Sequence, residues 1–533
     1  MGIDNRCLTA LTARAVLKAL MGWATLLLAV PAQAGVDAAP LFQQHCASCH
    51  GEQRTGLMGP ALLPESLERL RQPEALKVIT KGRTATQMLG FQDKLNAEEI
   101  AALAQWIYTP IQPAPRWAEE DVRATHTVLA NLSKLPAKPL WSADPMNLFV
   151  VVEGGDHHVS LVDGDRFERI HRFPSRYALH GGPKFTPEGR FVFFGSRDGW
   201  ITKYDLWNLI VIAEVRAGLN MRNVAVSGDG KWVMAANYLP HNVVLFDADL
   251  NLVKTFPAAT LDGKSGSRVS AVYDAAPRKS FVVALKDIAE LWEISYDPAA
   301  KPIYDGYVHD FTMGESLSKP GYQGVRRTLL DEPLDDFFFD QTYNHVLGAT
   351  RPKGDAQPSA QVVNLDIRRK IAELPMAGMP HLGSGITWAW NGTTVLASPN
   401  LKGNAIDVID MKTWKLIRTI SVPGPGFFMR SHENSRYAWT DSMMSPTAKD
   451  TLTLIDKATL EPVAQVREPG KTLAHIEFTK DGRFALASVW EMDGALVVYD
   501  AQTLKEIKRL PMSKPVGKYN VWNKISRSEG TSH

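Results

Sequence analysis

The segment Cys46-Ala-Ser-Cys49-His50 holds the residues of this chain best suited to chemistry. A Cys-x-x-Cys pair alone serves as a redox dithiol or as half of a zinc site. A histidine directly after the second cysteine fits a different use. The two thiols form thioethers to the vinyl groups of a porphyrin, and the imidazole becomes an axial ligand of its iron. On this reading Cys46 and Cys49 carry one covalent haem c, His50 ligates its iron, and the chain moves electrons.

The motif needs helices to hold it. Pro40-Leu-Phe-Gln-Gln-His45 leads a helix into it, and Ala97-Glu-Glu-Ile-Ala-Ala-Leu-Ala-Gln-Trp-Ile-Tyr108 has apolar residues at helical spacing behind an acidic first turn. Residues 35–110 thus resemble a class I cytochrome c, a small all-α domain whose terminal helices pack across each other. The segment Gly82-Arg-Thr-Ala-Thr-Gln-Met88-Leu-Gly-Phe91 resembles that family's methionine loop, which implies Met88 as the sixth iron ligand. A core-filling role for Met88 leaves Met58, in Leu57-Met-Gly-Pro60, as the substitute.

The first 34 residues read as an export signal. Arg6, Arg14 and Lys18 precede an apolar run from Ala19 to Val30, and Ala32-Gln33-Ala34 fits small-residue cleavage. The run is short for a membrane span. Cleavage removes Cys7 and leaves Cys46 and Cys49 for haem, with no cysteine for a disulfide. These features point to a bacterial periplasmic protein. The formal net charge of +2 over 533 residues offers no basic field for nucleic acid.

Residues 111–146 form a connection. It opens with the prolines of Thr109-Pro-Ile-Gln-Pro-Ala-Pro-Arg116, a semi-rigid composition, and continues as helical and irregular chain from Trp117 to Leu140. From 147 to 533 the chain repeats. Alternating apolar runs end on an aspartate and a turn at Asp163, Asp205, Asp247, Asp366, Asp410, Asp456 and Asp500, mostly 42 to 46 residues apart. One degenerate unit fits near Asp297. Turn dipeptides recur within units, at Glu188-Gly189, Asp229-Gly230, Asn391-Gly392 and Asp481-Gly482. Short strands at this period make propeller blades, and the count is eight. The expected architecture is multidomain: a small all-α cytochrome c plus an all-β eight-bladed propeller.

A cytochrome c followed by such a propeller resembles the cytochrome cd1 nitrite reductase family. The resemblance rests on Arg176-Tyr-Ala-Leu-His180 with Gly199-Trp-Ile-Thr-Lys-Tyr-Asp-Leu-Trp207, then Ala236-Asn-Tyr238-Leu-Pro, Pro380-His381-Leu-Gly-Ser-Gly385 and Val516-Gly-Lys-Tyr519-Asn-Val521, in the family's order. It implies haem d1, or its dihydro precursor, held over the propeller channel. His180 would be the proximal iron ligand and His381 would face the iron from the other side. Arg176, Arg197, Arg222, Arg268, Tyr238 and Lys518 would bind the carboxylates of the macrocycle.

One departure from the family is informative. Its nitrite reductases place a second distal histidine in a Leu-His-Asp-Gly-Gly-like stretch, where this chain reads Thr328-Leu-Leu330-Asp331-Glu332. Leucine donates no proton. The pattern resembles the family's biosynthetic branch, which dehydrogenates a propionate of dihydro-haem d1 to the acrylate of haem d1. That resemblance implies His475, in Leu473-Ala-His-Ile-Glu477, as the base, Tyr519 as an orienting group, and electron exit through the c haem. The implied partners are dihydro-haem d1, a periplasmic electron acceptor, and a cytochrome cd1 nitrite reductase that receives the product. Nitrite reduction and haem d1 carriage are the competing functions.

Overall fold

The computed structural model describes residues 36–67, 70–83, 86–304, 318–350, 360–376 and 378–526. The expected export signal and Cys7 lie outside the described residues.

The N-terminal part contains α1 (Ala38–His45), α2 (Ala47–His50), α3 (Pro64–Leu67), α4 (Gln72–Lys81) and α5 (Ala97–Trp106). Asp37 starts α1 by accepting a hydrogen bond from the Ala39 N–H at 3.1 Å. Asn96 and Glu99 form a reciprocal capping box on α5, with bonds of 3.0 and 2.8 Å. The two helices meet through Phe42 and Trp106, whose ring centroids are 4.9 Å apart, above buried Ile100, Leu103 and Ala104. This is the expected crossing of terminal helices.

The connection is docked along its length. α6 (Glu119–Thr125) buries Val122 in the core shared by the second and third blades. Thr127–Val128 adds a strand to the outer edge of the second blade, and the Trp117 indole donates to the Arg216 carbonyl at 3.1 Å.

Eight antiparallel sheets follow, seven of four strands and the second blade of five. The repeating aspartates sit where the third strand turns into the fourth. Asp163, Asp205, Asp410, Asp456 and Asp500 each accept N–H bonds from the residues two and three positions on. This local bond makes an aspartate and a turn recur in every such unit. The ring closes with Pro515–Asn520, near the C-terminus, as the innermost strand of the first blade, paired to Leu148–Glu153. A short helix, α7 (Val521–Ser526), follows. Apolar clusters fill the spaces between neighbouring blades, so the innermost strands and the loops above them are rigidly backed.

Candidate functional site

In the cytochrome part, Cys46 ends α1 and the turn of α2 carries Cys49 and His50 onto one side. The buried His50 ring donates from Nδ1 to the Pro60 carbonyl at 2.8 Å, which leaves Nε2 with its lone pair, as an axial ligand would require. Burial holds the imidazole below its ordinary range, so it keeps a lone pair. A Cβ at Gly59 would lie 2.7 Å from His50 Cε1, so the loop lies flat on the ring. Arg54 ties this loop to α5 by donating to the carbonyls of Trp106 and Thr109 at 2.9 and 2.7 Å. Met88 packs in the same apolar cluster as Cys46, Leu62 and Phe91, while Met58 is outside that cluster. The donor set suits a c haem. Among the described residues no group of three His, Cys, Asp or Glu has metal-binding geometry.

This part rests on the propeller. Lys514, in the turn that enters the closing strand, donates to the Thr86 carbonyl at 3.1 Å, beside Met88. α3 packs on the strand Trp232–Leu239.

Three of the expected histidines lie on or just before innermost strands: His180 ahead of the second blade, His381 ahead of the sixth and His475 within the eighth. His180 donates from Nδ1 to the Arg222 carbonyl at 2.8 Å, and its Nε2 faces Arg222 Nη1 at 3.0 Å and Arg197 Nη2 at 3.1 Å. Burial and these two guanidinium groups keep the imidazole neutral, well below its ordinary pKa. Tyr238 joins them, with Arg197 5.7 Å and the Lys286 ammonium 5.2 Å from its ring centroid. Burial alone would raise the phenol's pKa, but Lys286, Arg222 and Arg197 outweigh it and bring it down to about 8.

His381 donates from Nδ1 to the Phe427 carbonyl at 2.8 Å, and its Nε2 lies 3.9 Å from Asp336. Asp336 accepts from the Tyr273 hydroxyl at 2.8 Å. Leu330 packs in the apolar cluster that also takes in Tyr273.

His475 sits in the innermost strand of the eighth blade at φ +50°, where the pairing with the next strand slips by one residue. A non-glycine residue in this left-handed region costs energy and persists only where neighbours enforce it. Its buried Nδ1 has no hydrogen-bond partner, and its ring meets Tyr519 edge-on at 5.2 Å. Burial, then Lys518 and Arg430, keep the imidazole neutral, well below its ordinary range. Burial pushes the Tyr519 phenol up to about 12, so it remains a donor at neutral pH.

Three of the expected carboxylate-binding residues are placed differently. Lys518 and Tyr519 are adjacent in one strand, so their side chains point to opposite faces. Tyr519 takes the face with Gly517, whereas Lys518 is fully buried and donates to the His475 carbonyl and, at 3.0 Å, to Ser488 Oγ. It supports the bulge of His475 from behind. Arg176 is bound bidentately by Glu214, at 3.0 and 2.6 Å, and lines a separate cleft with His157 and Tyr177. Arg268 is buried and bound bidentately by Asp287, at 2.9 and 2.7 Å, behind Tyr238. Their carboxylate partners lie far along the chain and gave no signal in the sequence.

Other cations were missed. Lys184, in the two-residue innermost strand of the second blade, has its ammonium brought down to about 8 by burial. Arg430, in the two-residue innermost strand of the seventh, lies 3.7 Å from the fully buried Glu477. Lys524, on α7, lies 5.8 Å from the Tyr519 ring centroid. Burial, then Lys184 and Arg430, hold the Lys524 ammonium well below its ordinary range, so Arg430 is the guanidinium acting on Tyr519, with Glu477 opposing it.

The fold and this site define a class: a cytochrome c joined to a propeller that receives a d1-type tetrapyrrole. Residues 143–524 match the family described as Cytochrome D1 heme domain, and residues 33–107 match Cytochrome C oxidase, cbb3-type, subunit III. A curated dihydro-heme d1 dehydrogenase of Pseudomonas aeruginosa is 53% identical over 511 residues, 95% of this chain and 98% of that protein. A nitrite reductase of Stutzerimonas stutzeri is 24% identical over 539 residues, 91% of this chain and 92% of that one. The solved structure of dihydro-heme d1 dehydrogenase NirN in complex with DHE covers 92% of this chain and 99% of its own, at 53% identity and a TM-score of 0.77. The chain belongs to the cytochrome d1 haem-domain family, in its dihydro-haem d1 dehydrogenase branch.

Proposed function

We propose that this chain is the periplasmic oxidoreductase that completes haem d1, converting one propionate side chain of dihydro-haem d1 to an acrylate. Adjacent carbons lose two protons and two electrons, and a C=C bond forms. The observation that carries this reading is His475: a neutral, buried imidazole on an enforced left-handed bulge beside a protonated tyrosine. With Nδ1 shut in, Nε2 is the nitrogen that takes each of the two protons in turn, releasing the first to solvent before the second is removed. Tyr519 donates its O–H to orient the carboxylate. Arg430 biases that edge of the channel toward carboxylates, and Arg197, Arg222 and Tyr238 do so around His180. His180 and His381 address the substrate's iron.

A c haem attached at Cys46 and Cys49 and ligated by His50 and Met88 supplies a one-electron exit. A periplasmic electron acceptor must therefore discharge it twice per product. The signal-like first 34 residues support export. Leu330 argues against nitrite reduction, and the product would pass to a nitrite reductase in denitrification. The test is anaerobic mixing of the purified holoprotein with dihydro-haem d1, first alone, following c-haem reduction, and then with an added one-electron acceptor, following the product spectrum. Reduction of the c haem coupled to haem d1 formation supports the reading. Stable binding of the substrate with neither change would make the protein a carrier.

A further inference from the structure

Between His381 and His475 lies the dipeptide Phe427-Phe428, in the loop that enters the innermost strand of the seventh blade. The Phe427 carbonyl takes the His381 Nδ1–H at 2.8 Å, and the two rings are 4.1 Å apart. Phe427 and Phe428 are 4.7 Å apart, and Phe428 lies 4.6 Å from the His475 ring. The two histidines, which belong to the sixth and eighth blades, are thus spaced by one dipeptide of the seventh.

The dipeptide is held by Asp441. This carboxylate ends the second strand of the seventh blade and is fully buried. Its Oδ1 accepts from Phe427 N at 2.8 Å and Met443 N at 3.4 Å. Its Oδ2 accepts from Phe428 N at 3.1 Å and His475 N at 3.5 Å. One side chain therefore binds the backbone of both bridge residues and of His475 itself. Four converging N–H donors keep the carboxyl partly in its charged form, although burial pushes its pKa up to about 6.

We propose that Asp441 is a positioning residue which, through Phe427-Phe428, fixes the distance and orientation between the iron-side His381 and the side-chain base His475. This rests on the dehydrogenase reading and adds a requirement to it: iron and propionate belong to one rigid macrocycle, so their two histidines must keep a fixed separation.

The test substitution is Asp441→Asn in the full-length holoprotein. An amide offers one acceptor oxygen and one NH2 group. Whichever way it turns, two of the four N–H donors lose their partner. Amide hydrogen exchange, measured before dihydro-haem d1 is added, should be faster in peptides spanning 425–430 and 473–478 than in the wild type. With dihydro-haem d1 bound, the spectrum of its iron should shift. Single-turnover reduction of the c haem should slow by about 10–100-fold, the range seen when supporting contacts around liganding groups are removed.

Phe427→Leu and Phe428→Leu keep Asp441 and serve if Asp441→Asn does not fold. The first should change the iron spectrum, and the second should slow conversion with the iron spectrum retained. A folded Asp441→Asn with wild-type exchange, spectrum and rate overturns the proposal, as do wild-type spectra and rates in both phenylalanine variants. Exchange in the protein without tetrapyrrole does not depend on catalysis. A failure of His475 as base would therefore leave the Asp441 result readable on its own.

Discussion

Replacing His475 by asparagine is the sharpest perturbation of the proposed chemistry. Alanine would confound two effects, because the position holds φ +50° and a residue with Cβ enters this region at a cost. Asparagine is among the side chains that enter it most readily, so His475→Asn removes the imidazole and keeps the bulge. The structure sets the expected stability loss. Two ring contacts disappear, at 4.6 Å to Phe428 and 5.2 Å to Tyr519, each worth about 0.5–1.5 kcal/mol. The hydrogen bond from the Lys518 ammonium to the residue 475 carbonyl remains. A loss of about 1–3 kcal/mol stays below a typical stability of about 5–15 kcal/mol, so the variant should fold and bind dihydro-haem d1. Loss of a positioned base costs about 10²–10⁴-fold in rate. Single-turnover reduction of the c haem after anaerobic mixing should therefore fall by that factor, while the bound spectrum stays close to wild type. Wild-type kinetics in His475→Asn would refute the assignment, and loss of binding would show that the imidazole holds substrate instead.

Other outcomes follow from the same geometry. Met88→Ala should abolish the methionine-to-iron charge-transfer band at the red end of the oxidised c-haem spectrum; persistence of the band would move the ligand elsewhere, with Met58 the next choice. Tyr519→Phe should slow conversion without stopping it, since one orienting hydrogen bond is worth about 0.5–1.5 kcal/mol; complete loss of turnover would give the phenol a proton-transfer role. Loaded with haem d1, the protein should reduce nitrite about 10²–10⁴-fold more slowly than a dedicated nitrite reductase, because Leu330 stands where a proton donor is expected; equal turnover would overturn that argument. The histidines at 180, 381 and 475 have folded pKa values depressed below the ordinary value by burial. The unfolded chain then binds more protons than the folded one below about pH 6.5, so the urea midpoint should fall as pH drops through that value; a flat profile from pH 7 to 5 would show these imidazoles charged in the fold.

What the sequence revealed was mostly local. In five repeats the aspartate bonds the backbone two and three residues on, so the turn and the period were legible without tertiary information. The haem motif, the acidic first turn of α5 and the glycine turns were legible for the same reason. Strand parity was not. Lys518 and Tyr519 occupy one motif, and only the register of the closing strand decides which of them faces the channel. Arg176 and Arg268 looked available because Glu214 and Asp287 meet them only in the fold. Lys184 and Arg430 escaped notice because innermost strands of two residues are too short to show alternation.

The same propeller can serve two chemistries because they address different parts of one macrocycle. Nitrite chemistry would happen at the iron and depend on proton donors above it, the position proposed for His381 and the one where Leu330 replaces the histidine expected from the family resemblance. Dehydrogenation happens at the rim, two carbons out along a side chain, and needs a base and an oriented carboxylate there. His475 and Tyr519 come from the innermost strands of the eighth and first blades, next to each other across the closure of the ring. The carboxylate-facing groups around His180 serve either chemistry, since both require the macrocycle to be seated. On the proposed assignment, changing the side chain at 330 would withdraw one reaction without disturbing the seat. The other reaction then depends on a rim geometry that the backbone of His475, held by Lys518 on one side and Asp441 on the other, keeps in a conformation that a histidine adopts only under constraint.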